Sequence, residues 1–169
     1  MVKRYCFDTS GISNPLETMP ADIHVSLWAS FSAYIYDGFI AVTPEIYDEM
    51  CHVTGDIGDM IKSTKGQLVL ELGGAEWDWQ TYVNNSKQLL ATYEGCISEY
   101  TGGSAKTICL NDMTIVCLAK TLGLPLVSME NLVKEESQTN KRKIPNICRS
   151  EGIEHLTFSD FLRRENLSF

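Results

Sequence analysis

The chain has 169 residues, 44% of them hydrophobic and 21% charged, and a formal net charge of −8 at pH 7. That is enough chain for one domain, 1–169, with a real core, and its composition is ordinary for a soluble globular protein. The acidic balance excludes a nucleic-acid coat protein with a basic surface, though not a nuclease, because carboxylate sites are acidic and bound divalent cations invert their local field.

Tyr5-Cys6-Phe7 reads as a short buried strand that ends abruptly in Asp8-Thr9-Ser10-Gly11. Asp8 then lies at the carboxyl end of the first strand, the edge where open α/β sheets bind ligands. A carboxylate there is costly to bury unless a cation meets it, so Asp8 either binds a metal or caps the next helix or turn. The stretch 8–20, with Gly11, Pro15 and Pro20, is expected to be a loop with at most a helical turn. A helix is expected over 21–36, where Ile23, Leu27, Phe31 and Ile35 recur every fourth residue and Asp37-Gly38 supplies the stop. Residues 39–42 form a second apolar strand. Thr43 as N-cap and Pro44 at the first position then open a helix with Ile46, Met50 and Val53 as its stripe. Glu45, Asp48, Glu49 and His52 take its polar positions.

Ile57, Met60 and Ile61 fit a helix broken at Gly66, and 67–72 fits a short strand. A helix over 84–93 and a turn at Gly102-Gly103-Ser104 follow. Asn111 or Asp112 opens a helix with Ile115, Leu118, Ala119 and Leu122 on one face, and Gly123 and Pro125 end it. A strand over 124–127 ends in Ser128-Met129-Glu130. Lys141-Arg142-Lys143 is expected to be a solvated loop. The segment 143–148 should precede a short helix, 153–158 should hold a last strand, and Ser159-Asp160 should cap a terminal helix over 161–166. Alternating strands and helices define an α/β fold with a mostly parallel sheet.

No apolar run approaches the ~20 residues of a membrane helix. The first residues carry two positive charges with no long apolar region behind them, so no signal peptide is expected and the cytoplasm is the expected location. The six cysteines show no CxxC pair and no histidine at zinc spacing, and Cys6, Cys109 and Cys117 read as reduced core residues.

If the strands are parallel, Asp8, Asp112, Glu130 and an acid of the helix after Pro44 meet at one edge. Such a cluster, without histidine or cysteine, suits hard cations such as Mg²⁺ or Mn²⁺. The chemistry it serves best is phosphodiester hydrolysis. The plainer reading of any one acid is a helix cap or a solvated side chain.

YCFDTSG at the start, Met19-Pro20-Ala21-Asp22 with Ser26-Leu27-Trp28, the segment NDMTIVCLAKTLGLPLVSME and the ending KIPNICRSEGI resemble the PIN-domain family, whose members include the VapC-type toxin ribonucleases. More narrowly they resemble an uncharacterised subgroup with DTS, SLW, ND and IPxxC motifs. The resemblance implies a three-layer α/β/α sandwich with a central, mostly parallel sheet. It also implies an Mg²⁺- or Mn²⁺-dependent endoribonuclease acting as the toxin of a toxin–antitoxin pair. By position Asp8 matches the family's first acid, Glu49 the second, with Glu45 competing, and Asp112 the third. Glu130 falls at the fourth, where many members carry Asp, and Ser10 matches a hydroxyl beside the metal, while Thr9 is assigned to the turn. The expected roles are metal ligation by Asp8, Glu49 and Asp112, with Glu130 holding a second metal or a bound water. No lysine or histidine stands out as a general acid. The surface around Leu27, Trp28 and Phe31 is expected to be mostly core, and the implied partners are an RNA substrate, a cognate antitoxin protein and a second copy of the chain that meets part of that surface.

Two other readings compete. One is a PIN-like interaction module with a degenerate, inactive site. The other is a phosphatase using Asp8 as nucleophile, which wants a second acid two residues on, where Ser10 stands.

Overall fold

A computed structural model describes residues 2–103, 107–134 and 140–167. Four strands, β1 (Tyr5–Phe7), β2 (Ile40–Ala41), β3 (Leu126–Val127) and β4 (His155–Leu156), form one sheet in the order β2-β1-β3-β4. Every pairing is parallel, with Cys6 beside Ala41 on one side and Leu126 on the other, and Val127 beside Leu156. The strands are two or three residues long and almost wholly buried, which is why they read as unbroken apolar runs rather than as alternation. The strand expected over 67–72 shrinks to one parallel bridge, Val69 to Val42.

Helices cover both faces in an α/β/α arrangement. The first, α1 (Ser10–Thr18), occupies what the sequence reading left as loop. Its buried face of Gly11, Ile12 and Pro15 packs inward, and a side chain at Gly11 would press a Cβ to 3.0 Å from the Val127 carbonyl oxygen. Tertiary packing therefore overrides one proline inside a short helix, which costs a single backbone hydrogen bond. Next, α2 (Val25–Tyr36) begins four residues later than expected. Residues 21–24 turn outside it, and Ile23, placed on the apolar stripe by its spacing, is 71% exposed.

The helix α3 (Pro44–Met50) starts as read, with Thr43 Oγ1 accepting from Ile46 N, and α4 (Gly55–Ser63) and α5 (Lys65–Leu68) follow. Then α6 (Trp79–Tyr93) starts five residues early because Asp78 caps it, its Oδ1 accepting from Thr81 N at 3.0 Å. A 3₁₀ turn (Glu94–Cys96) and α7 (Ser98–Thr101) lead to left-handed Gly102 and Gly103; Ser104 of the expected turn lies outside the described residues.

The central helix α8 (Leu110–Leu122) buries Met113, Ile115, Val116, Cys117, Leu118 and Ala119. One apolar face was expected. The helix is covered nearly all round because it lies on β1 and β3 with α3, α6 and α9 (Ile144–Glu151) packed against it. Residues 144–148 belong to α9 itself rather than preceding a helix, since Pro145 sits in the first turn where no N–H is required. Finally, α10 (Phe158–Arg164) is capped by Thr157, not Ser159. Thr157 Oγ1 donates to Asp160 Oδ2 at 2.6 Å and accepts from Asp160 N at 3.2 Å, a reciprocal capping box that fixes the start three residues earlier.

Against the other face of the sheet, an aromatic cluster joins both ends of the chain. Phe31 of α2 meets Phe7, Trp28, Phe158 and Phe161 with ring centroids 5.5–6.0 Å apart, and Tyr5 meets Phe161 at 5.0 Å. Just beyond α10, Glu165 accepts from the hydroxyls of Tyr34, at 2.6 Å, and Tyr5, and from Arg4 at 2.9 Å. Among the described residues no helix is long and apolar enough to cross a membrane.

Candidate active site

The strand order reverses direction at β1: β2 lies on one side and β3 on the other. Ligand crevices of open parallel sheets form at such a switch, outside the carboxyl ends of the strands. Asp8 stands there, directly after β1 and only 4% exposed. Its Oδ2 accepts from Ser10 N at 3.1 Å and Ser10 Oγ at 2.5 Å. Ser10 Oγ in turn accepts from Met129 N at 3.0 Å, so this hydroxyl ties the end of β1 to the segment after β3. Burial raises the Asp8 carboxyl above its ordinary range; the Ser10 hydrogen bonds oppose that, and the charge of Glu130 adds to it.

Asp112 reaches the same edge from the N-terminus of α8, which runs antiparallel to the strands. It is the third residue of the helix, and Cys109 is the cap. Cys109 N donates to Asp112 Oδ2 at 3.3 Å, and Asp112 N donates to Cys109 Sγ at 3.3 Å. Burial first, and the Asp8 charge second, push the Asp112 carboxyl up to about 7. The Asp8 carboxylate is therefore near enough to Asp112 to disfavour its ionisation.

Glu49 and Glu45, one turn apart on α3, go different ways. Glu49 Oε2 accepts from Thr9 Oγ1 at 3.1 Å and Oε1 accepts from Asn111 Nδ2 at 2.7 Å. These donors are the residue after Asp8 and the residue before Asp112, so Glu49 is laced to both acids. Thr9, read as a turn residue, has this further task. Glu45 is exposed and lines a separate pocket with Ser86, Leu110 and Thr114.

Glu130 is already occupied. Its Oε1 accepts from Lys143 Nζ at 2.7 Å and its Oε2 from Ile144 N at 2.9 Å, at the start of α9. Lys143 thus sits half-buried in an ion pair rather than in the solvated loop the charge run suggested. Burial works against its ammonium, but the hydrogen bond and charge of Glu130 outweigh it and raise the Lys143 pKa. Ser128, fully buried, accepts from Glu130 N at 3.4 Å and lies 2.8 Å from His155 Nε2.

Asn146 holds this side together. Its Oδ1 accepts from Val133 N at 3.0 Å and Lys143 N at 3.2 Å, and its Nδ2 donates to Val133 O at 3.0 Å. Asn146→Ala is expected to leave buried backbone groups unpaired and to cost about 1–3 kcal/mol, read as a lower midpoint in urea unfolding at unchanged slope. An unchanged midpoint would mean that water replaces the amide.

Among the described residues no three His, Cys, Asp or Glu side chains converge on one metal position. Asp112 lies in the field of the Asp8 charge, and the hydrogen bonds described above bring both aspartates neutral donors, Ser10 and Cys109. The two carboxylates fit Mg²⁺ or Mn²⁺, which bind through one or two carboxylates and keep several waters. Thr9, Asn111, Lys143 and Asn146 were not singled out by sequence reasoning. Their partners lie up to 62 residues away, and only the adjacency of Thr9 and Asn111 to the two aspartates hinted at them.

Beside Thr9 and Glu49 a groove of about 630 Å³ opens between α1 and the α3–α4 connection. Its lining carries Glu17, Asp22, Glu49 and Asp56 with His52, and neither lysine nor arginine.

A parallel α/β/α sandwich with a buried and a half-buried aspartate at its switch point is the class that fold and site define. The chain belongs to the family described as a domain of unknown function, DUF4411, which matches residues 5–169. No curated protein matches it. Among solved structures it is similar to VapBC-1 from nontypeable Haemophilus influenzae, at 14% identity and a TM-score of 0.49, over 94% of this chain and 99% of that one.

Proposed function

We propose that the protein is an Mg²⁺- or Mn²⁺-dependent endoribonuclease of the PIN-domain type, the toxin half of a toxin–antitoxin pair. The observation that carries this reading is the pair Asp8, buried, and Asp112, half-buried within reach of the Asp8 charge, both with raised carboxyl pKa values at the carboxyl edge of a parallel sheet. Aspartates kept at such a cost need a cation to neutralise them. The DTS, SLW, ND and IPxxC motifs support the same family.

Asp8 and Asp112 would hold the divalent cation, which would supply Lewis-acid activation of water and stabilisation of the departing oxygen. Ser10 fixes the Asp8 carboxylate through two hydrogen bonds, and the Cys109 amide orients Asp112. Glu49, clamped by Thr9 and Asn111, would accept from a water on that cation. The acidic groove beside Glu49 repels a phosphate backbone, so it suits a protein partner, and the RNA strand is assigned to the side of Lys143.

The test is titration of Mg²⁺ or Mn²⁺ into wild type and Asp8→Asn during incubation with a mixed pool of structured RNA. The expected result is metal-dependent cleavage in wild type, reduced on the order of 10³-fold or more in the variant, as loss of several kcal/mol of charge stabilisation requires. Equal cleavage by both proteins would overturn the assignment. The engagement of Glu130 by Lys143 favours a second reading, a PIN-like interaction module without activity. Absence of both cleavage and calorimetric cation binding would select it.

A further inference from the structure

We infer that Lys143 is the site's built-in second cation: it holds Glu130 out of the divalent-ion ligand set and offers its remaining ammonium protons to the RNA phosphate, so that the site works with a single divalent ion. This rests on the nuclease reading above.

Three observations carry it. First, both oxygens of Glu130 are engaged within the protein, one by the Lys143 ammonium at 2.7 Å and one by Ile144 N at 2.9 Å, so its charge is already met by a cation of the chain itself. Second, the charge of Glu130 is felt by both aspartates and that of Asp112 by Lys143, which places the ammonium beside the same cluster that the divalent ion would neutralise. Third, Lys143 is not placed by chance. Asn146 accepts from its backbone N–H, and Lys120 and Glu151 tie the far end of the same helix to α8 at 2.6 Å.

An ammonium carries three donors, and the carboxylate takes one of them. The side chain keeps 25% of its surface exposed, enough for a phosphate oxygen to reach the others. In a two-ion phosphodiesterase a second metal stabilises the oxygens of the in-line displacement. Lys143 supplies that positive charge from the protein.

The experiment is Mn²⁺ calorimetry on wild type, Lys143→Met and Glu130→Gln, with RNA cleavage measured at saturating Mn²⁺. Wild type is expected to bind one Mn²⁺ per chain. Lys143→Met, which keeps the stem and frees Glu130, is expected to bind two. Glu130→Gln is expected to bind one with affinity within about threefold of wild type. In cleavage, Lys143→Met is expected to raise KM and lower kcat together, each about tenfold, and Lys143→Arg to recover most of the loss.

Two ions in wild type, or one in Lys143→Met, would overturn the inference while leaving the nuclease intact. So would a Glu130→Gln variant that loses Mn²⁺. Because wild type and Glu130→Gln each decide it alone, a Lys143→Met protein that fails to fold does not remove the test. No Mn²⁺ binding by wild type would overturn both this inference and the reading beneath it.

Discussion

Asp112→Asn is expected to abolish cleavage and, in the same protein without cation, to raise the melting temperature at neutral pH. The Asp112 carboxyl titrates near 7 in the folded protein against an ordinary value of 3.8. The folded state therefore holds a proton that the unfolded chain releases, and stability falls as pH rises from about 4 through 7. Asparagine keeps the size of the side chain and an oxygen that accepts from Cys109 N, so the cap survives while the charge is gone. Because Asp112 is only half-buried, part of the shift is relieved by solvent, and we expect a gain of about 2 kcal/mol, or about 5 °C. The gain should be near zero below pH 4 and complete above pH 7. Added Mn²⁺ should reverse the order, stabilising wild type and not the variant. Melting curves at pH 4 and pH 8, with and without Mn²⁺, check this. An equal gain at both pH values would mean that the carboxylate charge is not the cause.

Phe31→Ala is expected to be the most damaging single change in the core. The ring is fully buried and touches four others from three elements: Phe7 of β1, Trp28 of its own helix, and Phe158 and Phe161 of α10. Removing it loses the transfer energy of the ring and leaves a cavity walled by rigid aromatic rings that cannot collapse, about 3–5 kcal/mol. For a chain of this size that is about 10 °C in melting temperature and a large share of the total stability. Thermal unfolding measures it directly. A loss under about 1 kcal/mol would show that the neighbouring rings close the gap.

The sequence made some of this plain because the signals were local. Tyr5-Cys6-Phe7 ends in Asp8, Thr43-Pro44 opens a helix, and Gly123 closes one; each needs only neighbouring residues to be read. Helix starts went astray where the cap was unusual or duplicated. A cysteine caps α8, and Thr157 outcompetes Ser159 because Asp160 answers it three residues on. The helix α1 was hidden by its own glycine and proline, and Gly11 is there because β3 approaches too closely for a side chain. Lys143 looked like one third of a solvated charge run. Its partner Glu130 lies 13 residues back, and no periodicity connects the two. The choice between Glu45 and Glu49 needed three dimensions, since both lie on the same short helix and only one meets Thr9 and Asn111.

The strand order β2-β1-β3-β4 has a consequence in time. The strand that carries Asp8 is the first to be synthesised, but it is central in the sheet, and the neighbour that completes its pairing is β3, with Lys143 later still. At about 5–20 residues per second, on the order of ten seconds separate synthesis of Asp8 from synthesis of Lys143. Until β3 is made, the edge of β1 that it will cover stays unpaired. A chain caught at that stage would hold Asp8 on a strand paired with β2 alone, its second edge still open for β3.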